Sequence, residues 1–552
     1  MNDKTVDGHM EIIFDDPLDC KRMVSEALLR KNYFPNQKGN SLELPPCFST
    51  TSFTPEVAEK LCKLNINFKD ARKVSGFDCV SYNITRHNNV PRCLSLIHPY
   101  AYAKLANHIV SSWSELKERT QSKQSIIKPY AHADGRLIIM NYESGLEQFS
   151  SDIKDSAGCN FRAHADITNF YHSIYTHSVE WAALGFDEAK ARVANKKQPA
   201  HWSKDLDSCL AWTRRGETQG VAIGPSTSNI VVELILGKID SVLESKQYRF
   251  KRYIDDYICY CQTHEEATNF IRDLGVALSD FRLSLNIQKT KIVTLPEPIS
   301  DTWVFELEFH KPKFILQEDQ SFFVNPNDLV NYFNHAVRLN KATPEGSVIK
   351  YAISSILHLL NSNASKYIAD CLINLSWHYP ILIPYIEKCL EHIDANDYVD
   401  ILNKILTNNA ENRRSDGMAW ILYAFKKYDI ALLDNQADLI IESKDCISIL
   451  SLYRMGSHRD KVADFCNSII ATDDTYHKDR YWILLYQLYK DKLLAVPYID
   501  GIFDILISCD VDFIPDGTRK TKYESYCDYF SACNMFGDLA ASESFDTWDA
   551  QN

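Results

Sequence analysis

Phe250-Lys-Arg-Tyr-Ile-Asp-Asp-Tyr-Ile-Cys-Tyr-Cys261 sets two adjacent carboxylates, Asp255 and Asp256, between two apolar, β-prone runs. Aromatic and β-branched residues favour strands on both sides, so the stretch is expected to be a β-hairpin with the acids at its tip. Adjacent carboxylates in so apolar a setting are costly unless positive charge neutralises them. A divalent cation carrying a triphosphate is one answer. An acidic turn on a solvated hairpin is the plain alternative for two aspartates alone. The rest of the chain decides between them.

The chain has 552 residues, enough for two or three domains, and its 45% hydrophobic and 24% charged content is that of an ordinary soluble protein. No segment approaches the ~20 apolar residues of a membrane span. The acidic N-terminus has no apolar run, so no signal peptide is expected. The 16 cysteines are scattered without a C-x-x-C pair, which argues against zinc knuckles and a disulfide framework and suits a reducing cytoplasm. The net charge of −13 is unusual for a protein that grips long nucleic acid, so any such contact is expected to be a local basic channel or a short one.

Taken in order, an irregular stretch is expected to about Asn40. Arg86 and Arg92 flank a turn, a short β-prone run follows (Leu94, Leu96, Ile97), and a helix begins at Pro99. Asn160 to Asp166 reads as a strand ending in an acid, after which Ile167 to Ile174 turns away and becomes helical. The run from Gly216 through Gln219, Gly220, Gly224 and Pro225 is a glycine-punctuated loop. It opens a long helix from Ser226 to about Leu243. Exposed N–H groups there suit a phosphate or base pair approaching closely, although most Gly-Pro loops are only turns. Glu265 to Phe281 is an amphipathic helix; Leu285-Asn286-Ile-Gln-Lys289-Thr290 then turns into a strand. Trp303–Phe309 and Phe314–Val324 read as further strands.

Four segments in this order resemble reverse transcriptase motifs. Asp166-Ile-Thr-Asn-Phe-Tyr171 resembles motif A, Gln219-Gly220 to Gly224-Pro225 motif B, Tyr253-Ile-Asp-Asp256 motif C, and Leu285-Asn286-x-x-Lys289-Thr290 motif D. Phe170-Tyr-His-Ser-Ile-Tyr-Thr-His177 and the Gly-Pro-Ser-Thr-Ser helix start are narrower. They resemble the unknown-group, abortive-infection (AbiK-like) branch of bacterial defence reverse transcriptases, over roughly residues 80 to 300. Two departures stand out: Ala222 replaces the usual motif B proline, and Ile223 stands where many reverse transcriptases carry glutamine.

From about Asn325 the pattern changes. Ile353, Ile356, Leu357 and Leu360 follow helical spacing, as do Tyr398, Ile401, Leu402 and Ile405. Further helices are expected near Trp420–Lys427, Tyr481–Tyr489 and Ile502–Ile507, with breaks at Asn361–Ser365, Asn408–Asn412 and Asp473–Thr475. The reading is a stack of helix pairs ending in a frayed tail at Asp546–Asn552.

The fold class expected is thus α+β: an N-terminal segment (1–80), reverse transcriptase fingers and palm (80–325), and an all-α helical-repeat, thumb-like domain (326–552). The resemblance implies catalysis at Asp166, Asp255 and Asp256, with Ile167 beside them at Mg²⁺ or Mn²⁺. It implies nucleotide contacts at Arg86, Arg92, Tyr171, Gln219, Gly220 and Lys289. dNTPs would be the substrate and DNA the product, on a non-coding RNA template or without one, primed in the latter case from a tyrosine hydroxyl. A trimer or hexamer is implied by resemblance alone. The competing expectation is an idle reverse transcriptase scaffold that senses or assembles; intact Asp166, Asp255 and Asp256 argue against it.

Overall fold

The computed structural model describes residues 3–6, 9–12, 16–35, 43–64, 66, 72–86, 89–132, 134–140, 145–194, 199, 201–298, 301–318, 322–344 and 346–515. The expected tail at Asp546–Asn552 lies outside them. Strands β1 (Asp3–Val6) and β2 (His9–Ile12) pair as a hairpin. Residues 21–31, expected to be irregular, are helical instead, because Met23, Val24, Ala27 and Leu28 bury a single face. Helix α1 (Pro55–Lys63) follows, then the antiparallel pair β3 (Val80–Thr85) and β4 (Pro91–Leu96), and α2 (Pro99–Ser111).

The centre is a four-stranded antiparallel sheet of β5 (Phe161–Asp166), β6 (Arg249–Tyr253), β7 (Asp256–Cys261) and β8 (Lys291–Thr294), in the order β6-β7-β5-β8. Tyr257, Cys259 and Cys261 alternate into the core, as period-2 strands must. Between β5 and β6 come α3 (Ser178–Leu184), α4 (Trp202–Trp212) and α5 (Ser226–Ser245). Helix α5 is buried without interruption from Ser226 to Leu236, as a helix apolar on nearly all sides requires. Its start is cramped: Gly224 has φ +126°, and a Cβ there would lie 2.7 Å from Pro35 Cβ. Helix α6 (His264–Ser279) covers the small Ala163 and Ala165 of β5.

Trp303–Phe309 forms helix α7 (Thr302–Phe309), not a strand. Trp303 and Leu307, one turn apart, bury one side, and the exposed Phe305 and Phe309 lie off it; that spacing outweighs the local β propensity. Phe314–Val324, expected as one strand, contributes two short antiparallel strands, β9 (Phe314–Leu316) and β10 (Phe322–Val324).

The described residues from 326 to 515 are helical and carry no strand. They include α8 (Pro326–Ala342), α9 (Val399–Glu411), α10 (Ser415–Lys427), α11 (Cys446–Met455), α12 (Trp482–Lys490) and α13 (Ile502–Ser508). The expected break at Asn408–Asn412 falls inside the last turn of α9, where buried Asn409 donates to the Ile405 carbonyl. Conversely the Ile353–Leu360 pattern is broken: the helix ends at Ser354 and a 3₁₀ turn carries Leu357–Leu360.

This helical region is fastened to the N-terminal half by buried polar contacts. Arg72, fully buried over the Phe77 ring, donates to Asp479 at 2.6 Å and to Asp500 at 3.4 Å. Trp482 Nε1 donates to the Leu96 carbonyl at 3.1 Å, and Phe513 packs among Tyr33, Phe34 and Phe53. A single hydrophobic core runs through both regions. A chain ended at Asn325 therefore uncovers Phe77, Leu96 and the Tyr33 cluster and leaves Arg72 without its carboxylates. It should be recovered as aggregate or as a species lacking near-ultraviolet dichroism. A soluble, cooperatively melting monomer would contradict this.

Candidate active site

The sheet register puts the acids together. Asp166 ends β5 directly opposite Asp256, the first residue of β7. Tyr253 pairs with Asp256, so Ile254 and Asp255 form a two-residue turn. Ile254 takes φ +55° there, a left-handed conformation that a β-branched side chain resists at about 1–3 kcal/mol.

What holds that turn lies beneath it. Arg252 occupies a core-facing position of β6 and is fully buried. Its Nη1 donates to Glu233 at 2.8 Å and to the Ile254 carbonyl at 3.0 Å. Nη2 reaches Glu233 at 2.9 Å and Asp240 at 2.8 Å, and Nε reaches Asp240 at 3.0 Å. All five guanidinium N–H groups have acceptors. Glu233 and Asp240 lie seven residues apart on one face of α5, both buried, and Asp240 also accepts from Tyr257 and Ser122 hydroxyls at 3.1 and 2.6 Å. Burial pushes the Glu233 carboxyl up while Arg252 opposes it.

Asp166 accepts from Asn286 Nδ2 at 3.1 Å and from Lys289 Nζ at 3.0 Å. Lys289, expected from the motif D resemblance at the nucleotide, rests on this acid with its side chain largely exposed. His164 Nε2 is 3.8 Å from Asp256, and its Nδ1 is 3.2 Å from the Lys289 carbonyl. Burial raises Asp255 to about 6, and Asp256 and Asp166 push it the same way while Arg92 opposes. Asp256 likewise rises to about 6, through burial and Asp166, against Lys289. Arg92 thus acts on Asp255 and Lys289 on Asp256.

Asp255 and Asp256, raised by burial and then by neighbouring acids, lie with Asp166 at one end of the sheet, and carboxylate oxygens are the donors that a hard divalent ion such as Mg²⁺ or Mn²⁺ takes. Ile167 faces Leu285 between the bonds Asn286 N–H to Asp166 O and Thr168 N–H to Ser284 O. Its own carbonyl is consequently turned away from Leu285 and available as a further oxygen ligand.

Tyr171 is buried one turn beyond the acid and donates to Asn229 Oδ1 of α5 at 3.0 Å. Burial and Asp255 both push its hydroxyl pKa up. The glycine loop is sewn to this turn: Gly220 N–H donates to Ile174 O at 2.6 Å and Val221 N–H to Tyr171 O at 2.9 Å. Gln219 is exposed and bridges to Tyr175. Ile223 is buried and accepts from Ser95 N–H at 2.8 Å, tying the loop to β4. Arg86 stands exposed at the β3–β4 turn, with its N–H on the Val90 carbonyl.

Sequence reasoning left out Glu233, Asp240, His164 and Asn229. Two acids at i and i+7 in an otherwise apolar helix were the one available signal. A second cluster, His177 with Glu180 and Asp207, has ligand-like spacing. Lys204 already sits between its acids, 3.2 Å from Glu180 and 2.9 Å from Asp207, and neutralises part of their charge within the chain.

Residues 99–324 match the family model described as reverse transcriptase (RNA-dependent DNA polymerase). No curated protein matches the chain. Among solved structures, apo telomerase from Candida tropicalis truncated from its C-terminal domain aligns at 11% identity over 45% of this chain and 55% of its own, with a TM-score of 0.29. Apo telomerase from the same organism aligns at 10% over 75% and 73%, TM-score 0.28. Candida albicans telomerase in complex with a fragment of telomeric RNA aligns at 12% over 74% and 67%, TM-score 0.29. The chain spans about half the length of the first of these. Residues 99–324, which hold the central sheet and its acids, are thus similar to a reverse transcriptase domain. No helix among the described residues is long and apolar enough to cross a membrane.

Replacing Arg252 with Met leaves two buried carboxylates facing each other and should destabilise the protein by about 3–5 kcal/mol in chemical denaturation. Loss of under about 1 kcal/mol would show that the network is dispensable. For Asp255 and Asp256 the raised values mean that the folded protein retains protons that the unfolded chain releases. Stability from this source falls as pH climbs from about 4 through about 6. In EDTA, Asp255→Asn/Asp256→Asn should melt above wild type near neutral pH, and the gain should shrink towards pH ~4.

Proposed function

We propose that this chain is an antiphage-defence reverse transcriptase that makes DNA from dNTPs with Mg²⁺, or Mn²⁺, at Asp166, Asp255 and Asp256. The observation that carries the reading is the pairing of Asp166 with Asp256, and Asp255 in the adjoining turn, within the segment that matches the reverse transcriptase family. Divalent ions bound there would lower the pKa of the attacking hydroxyl and neutralise the leaving pyrophosphate. The chain's own contribution is positioning. Arg252 fixes the turn, Asn286 and Lys289 orient Asp166, and Arg92 adds a guanidinium suited to clamping a triphosphate. Arg86, Gln219 and Gly220 complete the nucleotide side.

The defence assignment rests on the resemblance of the motif wording to the abortive-infection branch. The net charge of −13 favours short products, made on a non-coding RNA or without a template from a tyrosine primer. The helical region serves as a thumb-like repeat that holds the product, in a cytoplasmic trimer or hexamer.

Tyr171 is the sugar gate in this reading. Its ring is held by Asn229 and has no slack to admit a 2′-hydroxyl; overpacking a rigid site costs ~1–3 kcal/mol, about 5- to 150-fold in rate. Purified protein given labelled dNTPs and Mg²⁺, with and without RNA, should incorporate label, and Asp255→Asn/Asp256→Asn should not. Tyr171→Val should lower the ratio of dNTP to rNTP incorporation while retaining dNTP activity. Undiminished incorporation by the double variant would overturn the metal-site assignment, and an unchanged ratio would move the gate elsewhere.

A further inference from the structure

We propose that Asp416, on helix α10 of the C-terminal helical region, is a positioning residue for Arg92, so that this region sets nucleotide affinity as well as holding product. The inference rests on the reading of Arg92 as a triphosphate contact.

Arg92 lies opposite Ile84 in the β3–β4 ladder, and the next bonded pair beyond it is Arg86 with Val90. Thr85 and Pro91 form the intervening pair, in which neither backbone faces the other. The Thr85 N–H therefore points out from the free edge of β3. Asp416 takes it: Oδ2 accepts the Thr85 N–H at 2.7 Å and Oδ1 accepts the Thr85 hydroxyl at 3.0 Å. Oδ1 also accepts the Gly417 N–H at 2.8 Å. Asp416 is 4% exposed and stands in the first turn of α10, where the helix field favours a carboxylate. Burial pushes its pKa up to about 6, against the hydrogen bonds from Thr85, so near neutral pH it is an ionised acceptor.

The placement of α10 is itself fixed. A Cβ on Gly417 would collide with the Asn409 side chain of α9, so the two helices meet at closest approach there. One turn on, Trp420 Nε1 donates to the Glu43 carbonyl at 3.4 Å, and Tyr82 of β3 donates to the same oxygen at 3.0 Å. On its other edge the hairpin is held by Ser95 N–H to the Ile223 carbonyl.

A two-stranded hairpin is marginal alone and depends on such attachments. The Arg92 side chain has no hydrogen bond or ion pair among the described residues, but its charge reaches Asp255, Tyr171 and His172. With no partner of its own, its guanidinium is placed by the hairpin backbone, and that backbone is anchored one residue away by Asp416.

The test is steady-state kinetics of dNTP incorporation for wild type, Arg92→Ala, Asp416→Ala, Thr85→Ala and Asp416→Ala/Arg92→Ala, each first checked for a wild-type circular dichroism spectrum. Asp416→Ala should raise KM for dNTP about tenfold with kcat within about twofold, and the double variant should be no worse than Arg92→Ala. Thr85→Ala, which removes only the hydroxyl bond, should raise KM about two- to threefold and decides the matter if Asp416→Ala does not fold. If Arg92→Ala raises KM while neither Asp416→Ala nor Thr85→Ala does, the positioning role is wrong. If Arg92→Ala itself leaves KM unchanged, the reading of Arg92 falls and this inference with it. Additive effects in the double variant would show that Asp416 acts on something other than Arg92.

Discussion

Arg252 is a cation with no access to water, placed where a β-strand would ordinarily put an apolar side chain. Burying it is tolerable only because Glu233 and Asp240 arrive from α5 with matching geometry, and because Tyr257 and Ser122 hydroxyls share the second carboxylate. The arrangement leaves one guanidinium N–H direction for the Ile254 carbonyl. A strained two-residue turn is thereby fixed from below by a group that cannot rotate without breaking two buried ion pairs. The direction of Asp255 and Asp256 follows from that turn, so the acids are aimed by the core rather than by the surface.

Charge explains the rest of the site in the same terms. The chain is acidic overall, yet the cations acting on the acids are few: Arg92 on Asp255, and Lys289 on Asp256 while bonded to Asp166. Burial first, and then the neighbouring acids, outweigh these cations, since both Asp255 and Asp256 remain pushed up to about 6. In the proposed function a divalent ion supplies the remaining positive charge.

Local patterns were legible in the sequence. The apolar runs around Asp255 and Asp256, the strand ending at Asp166 and the helix beginning at Ser226 each depend on residues within a few positions. Partners supplied by the fold were not legible. Nothing near Asp166 announces that Lys289 will bind it, and nothing near Thr85 announces Asp416. Arg252 was quoted as part of a strand, and its role appears only once α5 brings Glu233 and Asp240 beneath it. Where local preference misled, packing decided: Trp303–Phe309 is β-prone by composition but helical because Trp303 and Leu307 share a face. The asparagines at 408–412 read as a break, yet Asn409 is buried inside the helix with its own carbonyl partner.

The central claim is that Asp166, Asp255 and Asp256 form one divalent-metal site with the nucleotide. Titrating metal-free protein with Mn²⁺ in the presence of a dNTP, and following free Mn²⁺ by electron paramagnetic resonance, tests it without requiring turnover. The account predicts that wild type removes Mn²⁺ from solution and that folded Asp166→Asn and Asp255→Asn proteins each lose most of that binding. Mn²⁺ uptake equal to wild type in both variants would contradict it.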